Sequence, residues 1–222
     1  REFGLGFPTG INLPGEKSGL IPDRKWKLDI KKQVWRPGET IIAGIGQGYV
    51  LATPIQLALM SARIANGGKK IKPTLLKSPI LQPSKANSVK VSEENLNIIK
   101  RAMEKVSLDE FGTGRNFRLG IKGVEMAGKT GTVQVRRIST KERESEEGVI
   151  KNEDRIWEWR DHALYVGYAP MDKPRYAISV IVEHGGSGSS KAGPIARDIM
   201  EATLTNDPTR FIPKNPIKKP LI

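Results

Sequence analysis

Lys129-Thr130-Gly131-Thr132 is the group of residues in this sequence best suited to chemistry. The stretch from Val124 to Val135 reads as a strand, and a strand edge can take up an extended peptide through main-chain hydrogen bonds. Lys129 would offer positive charge to a peptide carboxylate, and the hydroxyls of Thr130 and Thr132 can bind it. Gly131 would let the peptide backbone approach closely. The backbone N–H of Thr132 can donate to a developing oxyanion. The pattern is therefore suited to a strand edge that binds a peptide carboxylate.

A second triplet of the same type, Lys17-Ser18-Gly19, lies between Gly15 and Pro22. Glycine and proline at these positions favour turns, so we do not assign this triplet to a strand. A Lys-[Ser/Thr]-Gly triplet arises by chance in roughly one chain in ten of this length. Either triplet alone is therefore compatible with ordinary polar sequence, and only the surrounding elements distinguish them.

Two helices are predicted before the strand that carries Lys129. Thr53 can cap a helix with Pro54 at its first position and Gln56 completing a capping box, and Asn66-Gly67-Gly68 would end it. A second helix is predicted over 93–106, capped by Ser92. Residues 1–39 are rich in glycine and proline and are predicted to be mostly loop, and 44–48 a flexible approach to the first helix.

Strands are predicted after the motif at 163–169 and 176–183, joined by a hairpin connection at 170–175. A loop at 184–190 and a helix over 194–204 would follow. Adjacent strands joined by a hairpin form an antiparallel sheet. The fold class predicted is therefore α/β, as an α+β layered domain in which helices flank an antiparallel sheet.

Composition excludes several classes of site. The chain has 222 residues and a net charge of +13, with no cysteine and only two histidines, His162 and His184. Thiolate and histidine metal sites are therefore not expected. No acidic residue lies between Glu39 and Glu93, but without interleaved aromatic residues this basic stretch does not predict nucleic-acid binding. The uncharged stretch 40–62 is rich in glycine and reads as a loop and a buried helix rather than a membrane span.

Several stretches resemble class B penicillin-binding proteins, and they occur in the order and at the spacing found in that family. The opening, 10–22, resembles its penicillin-binding protein 2 subgroup. The other matching stretches are 44–58 with 65–68, 127–135, 161–170 and 184–186.

This resemblance implies a penicillin-binding transpeptidase fold, shared with serine β-lactamases, and a peptidoglycan D,D-transpeptidase of cell-wall elongation. In that family a serine attacks the penultimate D-Ala carbonyl of a stem peptide, D-Ala leaves, and a neighbouring amine resolves the acyl-enzyme into a cross-link. β-Lactam antibiotics trap the same serine. No cofactor is implied. The implied location is the bacterial inner membrane, with an anchor outside this chain, the catalytic domain in the periplasm and a glycosyltransferase partner in the elongation complex.

The sequence departs from the family pattern at the nucleophile. None of its thirteen serines is followed by lysine three residues later or by asparagine two residues later. The family needs Ser-x-x-Lys for the nucleophile and Ser-x-Asn or a variant of it for the proton relay, and both lie upstream in its members. We therefore expect 1–204 to be the C-terminal part of a transpeptidase domain that is inactive alone, followed by a proline- and lysine-rich tail over 205–222.

Residues 136–160 carry seven basic and seven acidic residues and are expected to form an exposed, partly helical or mobile insertion.

Two other functions remain open from the sequence. One is a serine β-lactamase relative, and the other is a non-catalytic basic module that binds an anionic polymer.

Overall fold

The computed structural model describes residues 1–76, 87–136, 138–145 and 148–207. Of the predicted tail, 208–222 lie outside the described residues. The elements, in chain order, are α1 (Arg24–Lys31), α2 (Pro37–Gly44), α3 (Pro54–Ala65), α4 (Glu93–Leu108), β1 (Ala127–Val133), α5 (Thr140–Arg143), β2 (His162–Ala169), β3 (Tyr176–Val182) and α6 (Gly193–Asn206).

The three strands form one antiparallel sheet in the order β1-β2-β3. Within the part of the chain that the structure describes, β1 is therefore an edge strand. Lys129 pairs with Val166 and Thr132 with Ala163 across the β1–β2 ladder. The hairpin connection between β2 and β3 lies where the sequence predicts it. The predicted strands are confirmed, although β1 is shorter than the stretch 124–135.

Helices cover both faces of the sheet, so the expected layered fold is confirmed. On one face, Tyr165 of β2 packs with Phe117 and with Met200 of α6 in a buried cluster. On the other face, Tyr168 packs with Ile64 of α3 and Met103 of α4. Successive strand residues point to opposite faces of a sheet. Tyr165 and Tyr168 are three residues apart, so their side chains lie on opposite faces, one in each buried cluster.

The capping signals of α3 and α4 are confirmed. The Thr53 side chain accepts from the backbone N–H of Gln56, and the Gln56 side chain accepts from the backbone N–H of Thr53. Ser92 caps α4 by accepting from Asn95. Gln56 is fully buried and also donates to the carbonyl oxygens of Phe7 and Ser18, so α3 fixes the opening segment against the domain.

The prediction that 1–39 is mostly loop is wrong for α1 and for the start of α2. Asp23 caps α1 by accepting from the N–H of Trp26. Lys27 is only 3% exposed, and its Nζ lies 2.5 Å from Glu39 Oε1 of α2. This ion pair, rather than an apolar stripe, joins the two helices. Lys27 is the only buried residue of α1, and Leu28 and Ile30 are exposed, so no buried apolar face marks this helix in the sequence.

The segment 44–48 is an ordered helix end rather than a flexible approach. The N–H of Gly46 donates to the carbonyl of Ala43, and the N–H of Gln47 donates to that of Ile42, both at 3.0 Å. This pair of bonds is a Schellman motif, which needs a left-handed residue. Gly46 meets that requirement with φ of 77°.

Most described residues of the charged segment 136–160 are exposed, and α5 lies within it. Its far end is fixed by a buried ion pair, in which Arg155 Nη1 lies 3.1 Å from Asp161 Oδ2. Asn152 accepts from the N–H of Asp161, whose carbonyl accepts from Gly186. The segment is thus tied to the sheet at its root, and its mobility stays a prediction.

None of the described helices has both the length and the apolar character needed to cross a bilayer.

Candidate functional site

The four residues of the predicted motif lie in the middle and second half of β1. Lys129 and Thr132 are exposed, whereas Thr130 and Gly131 are half-buried. Because β1 is at the described edge of the sheet, its outer main-chain groups face away from β2. The structure therefore places the charge and the hydroxyls on an edge strand.

The backbone of β1 lies unusually close to β2 at Gly128, directly before Lys129. A Cβ atom at Gly128 would lie 2.1 Å from the Tyr165 hydroxyl oxygen and 2.6 Å from the carbonyl oxygen of Val166. Tyr165 is fully buried and cannot move aside. Burial raises the pKa of its phenol, so the ring stays neutral. Only glycine fits at 128, and this close approach sets the position of Lys129.

The side chains of Lys129 and Thr130 have partners within the chain. Lys129 Nζ donates to the carbonyl oxygen of Thr130 at 2.7 Å. The hydroxyl of Thr130 lies 2.9 Å from that of Thr113, which follows α4. Gly112 and Gly114 on either side of Thr113 lie against the carbonyl of Val106, where a Cβ would be 2.4 Å and 3.0 Å away. These close contacts fix the loop that presents Thr113 to β1.

A second residue from outside the strand reaches its edge. Gln47, in the capping turn after α2, donates from Nε2 to the carbonyl oxygen of Thr132 at 3.1 Å. Gln47 and Thr113 were not identified from the sequence. Both lie between two glycines, as Gly46-Gln47-Gly48 and Gly112-Thr113-Gly114. A polar residue held between glycines is the signal that can find them.

The turn before α6 closes over the strand at Gly131. Residues Gly188–Ala192 form a single wide helical turn. A Cβ at Gly188 would lie 2.4 Å from the carbonyl oxygen of Gly131 and 2.3 Å from that of Leu164. The predicted loop at 184–190 therefore ends in a turn that packs directly on β1, and α6 begins only after it.

The histidines lie away from Lys129. His162 is opposite Val133, so it lies about 13 Å along the strand from Lys129. Its Nδ1 accepts from the N–H of His184 at 2.9 Å, and the His184 ring contacts Trp157 at a centroid distance of 4.1 Å. These contacts hold both rings in local structure away from the motif.

The other triplet is not part of a strand. Lys17 and Ser18 are exposed. The chain enters an isolated bridge only at Leu20, which pairs with Leu51. A Cβ at Gly19 would lie 2.4 Å from the carbonyl oxygen of Leu51, so this glycine serves close packing of the two segments. The placement matches the turn predicted from the sequence.

Comparisons with known proteins agree with this fold. The family model for the penicillin binding protein transpeptidase domain matches residues 1–201. The chain is 38% identical over 215 residues to the peptidoglycan D,D-transpeptidase MrdA of Haemophilus influenzae, which covers 92% of this chain and 32% of that protein. It is 30% identical over 216 residues to penicillin-binding protein 2B of Streptococcus pneumoniae, with 90% and 28% covered.

Solved structures give the same picture. The structure of Pseudomonas aeruginosa PBP2 in complex with WCK 5153 matches with a TM-score of 0.75 and 38% identity, over 93% of this chain and 42% of that one. The PBP2 of a complex with MreC from Helicobacter pylori matches with a TM-score of 0.75 and 34% identity, over 92% and 34%.

The chain spans about a third of the length of the curated relatives it matches. These relatives give no support to the β-lactamase or the polymer-binding alternative. The family model matches residues 1–201, which is most of the chain, and the fold agrees with it. The chain therefore belongs to the penicillin-binding protein transpeptidase family.

Proposed function

We propose that residues 1–204 are the C-terminal part of the transpeptidase domain of a peptidoglycan D,D-transpeptidase that acts in cell-wall elongation. The observation that carries this proposal is the edge strand β1, on which an ammonium, two hydroxyls and outward-facing main-chain groups lie within four consecutive residues, Lys129 to Thr132. The family membership and the relatives named D,D-transpeptidase support it.

In this proposal the stem peptide adds to β1 as a further antiparallel strand. Its terminal carboxylate binds at Lys129 and at the hydroxyls of Thr130 and Thr132 through charge-assisted hydrogen bonds. The penultimate carbonyl then lies at the N–H of Thr132, which stabilises the oxyanion as the tetrahedral intermediate forms. The hydrogen bond between the hydroxyls of Thr113 and Thr130 holds the Thr130 hydroxyl in place before substrate arrives.

The nucleophile belongs to another part of the protein. The serine that attacks, the lysine that activates it and the relay residue lie upstream of this chain in the proposed domain. This chain supplies the strand edge, Lys129 to Thr132, that binds and orients the peptide. β-Lactams bind the same edge because they carry a carboxylate and a strained amide in the corresponding positions.

Partners and location follow the same proposal. One matched structure is a complex of PBP2 with MreC, and another is described as a peptidoglycan synthase complex that coordinates polymerization and crosslinking. We infer that the full-length protein is anchored in the inner membrane, faces the periplasm and works with a glycosyltransferase of the elongation complex.

Labelling with a fluorescent penicillin tests the proposal. We expect stoichiometric labelling of the full-length protein that carries this chain and none of the 222-residue chain alone. The full-length protein should also release D-Ala from a stem pentapeptide. Unlabelled full-length protein without D-Ala release would refute the function, whereas specific labelling of the isolated chain would refute the assignment of the nucleophile to an upstream segment.

A further inference from the structure

Both outer carbonyl groups of the motif are occupied by side chains of this chain. The carbonyl of Thr132 accepts from Gln47 Nε2, and that of Thr130 accepts from Lys129 Nζ. In an antiparallel strand, alternate residues direct their N–H and C=O groups to the same side. Thr130 and Thr132 therefore share the outer edge, and this edge is the one that an added peptide strand must use.

The backbone on which Gln47 stands is fixed. Its N–H is part of the Schellman motif that ends α2, and Gly46 and Gly48 on either side have φ of 77° and 75°. A Cβ at Gly48 would lie 2.9 Å from a side-chain carbon of Ile42, so the turn also packs on the helix. The turn thus delivers a carboxamide to a strand that lies 85 residues further along the sequence.

We propose that Gln47 is a positioning residue that occupies the place of the peptide's own amide N–H at the Thr132 carbonyl until substrate binds. This inference rests on the proposed function. A peptide strand must bring an N–H donor to that carbonyl, and the carboxamide of Gln47 is a donor of the same kind. Binding therefore exchanges one N–H···O bond for another, and the Thr132 acceptor is satisfied before and after the exchange.

Because of this exchange, the effect of Gln47 on binding affinity depends on the ligand. A ligand with an amide N–H at this position must displace Gln47, so removing the carboxamide should strengthen its binding. A ligand without that N–H leaves the bond from Gln47 to Thr132 in place, and its binding should not change. The two kinds of ligand therefore separate a positioning role from a general effect on the fold.

The test compares two β-lactams on the full-length protein and its Gln47→Met variant, in which a side chain of similar length has no N–H donor. One ligand is a penicillin with an acylamino side chain, and the other is a carbapenem, whose hydroxyethyl group has no amide N–H. We expect the second-order acylation rate for the penicillin to rise by roughly two- to tenfold, the factor of one net hydrogen bond. The rate for the carbapenem should stay constant.

Gln47→Ala gives a second measurement of the same ratio, and Gln33→Ala, at an exposed position before α2, is the matched control that should change neither rate. Thermal unfolding of each variant checks that the domain is folded. If the ratio of the penicillin to the carbapenem acylation rate is unchanged or lower in both Gln47 variants, the proposal that Gln47 takes the place of the peptide N–H (its placeholder role) is overturned. The proposed function would still stand. If neither ligand acylates the unsubstituted protein, the proposed function fails and the placeholder role fails with it.

Discussion

The hydroxyl of Thr113 lies 2.9 Å from the hydroxyl of Thr130, which joins the loop after α4 to the motif strand. One of the two groups donates and the other accepts, so the bond fixes the direction of the Thr130 hydroxyl. A group that is already oriented loses less conformational freedom when it binds a carboxylate. Thr113 thus supports the site without belonging to the Lys-Thr-Gly triplet.

Replacing Thr113 with valine should slow acylation without unfolding the domain. The variant keeps the shape of the side chain but removes the hydroxyl that orients Thr130. A net hydrogen bond of about 0.5–1.5 kcal/mol predicts a loss of roughly two- to tenfold in the rate of acylation of the full-length protein by a penicillin. The control is Thr205→Val at an exposed position in α6, which should have no effect. Equal rates in the two variants would show that the Thr113 bond is dispensable.

Replacing Lys129 with alanine should damage acylation far more than replacing Lys17. If Lys129 lies beside the substrate carboxylate, the variant loses a charge-assisted contact of about 1.5–3 kcal/mol. The acylation rate of the full-length protein should fall by roughly one to two decades or more. Lys17→Ala should leave the rate nearly unchanged, because Lys17 is exposed and outside any strand. A severe loss of acylation in Lys17→Ala, or normal acylation of both variants, would contradict the assignment of carboxylate binding to residues 129–132.

Gly128→Ala should destabilise the domain through the β1–β2 contact. The added methyl group would overlap the hydroxyl of the fully buried Tyr165 and the backbone of Val166. Overpacking of this kind costs about 1–3 kcal/mol of unfolding free energy. The comparison is Gly38→Ala in α2, where a Cβ meets nothing within 4 Å. Chemical denaturation of the two variants should separate them, and equal stabilities would mean that β1 can shift away from β2.

Acid should weaken the contact between α1 and α2. The backbone N–H of Arg36 and the ammonium of Lys27 lower the pKa of Glu39 below its ordinary value of 4.5. A lowered pKa means that this carboxylate stabilises the fold above the ordinary value and that the contribution is lost as the pH falls through the folded-state pKa. The unfolding free energy of the unsubstituted chain should therefore fall more steeply between about pH 6 and pH 3 than that of Glu39→Gln. Parallel curves would contradict this assignment.

Local signals in the sequence predict most of the elements around the site. The cap, proline and capping box at Thr53, Pro54 and Gln56 all act within four residues, so the start of α3 can be predicted from sequence alone. The same holds for the strands, whose alternation and hairpin are local. By contrast, α1 is joined to α2 by the ion pair of Lys27 and Glu39, twelve residues apart. Lys27 is the only buried residue of α1, so the helix has no buried apolar face that a sequence pattern could reveal.

The candidate site is predictable to the same extent. Lys129 to Thr132 are adjacent in sequence, and the chemistry of their side chains identifies them. Thr113 and Gln47 reach the strand across 17 and 85 residues. Hydrogen bonds over such separations are set by the packing of the whole sheet and its helices, so the sequence does not show which strand these two side chains reach. Only the glycines on either side mark these positions in advance.

The buried ion pair between Arg155 and Asp161, together with the hydrogen bonds of Asp161 to Asn152 and Gly186, anchors the end of the charged segment directly before β2. Because these bonds hold residues 152–161 next to the start of β2, the stretch between Arg143 and Lys151 can change in length without moving β2. Doubling the length of a flexible loop costs only about 0.6 kcal/mol of closure entropy. Evolution can thus lengthen, shorten or recharge this stretch at little cost, and an engineer can insert a reporter domain there while the strand edge keeps its shape.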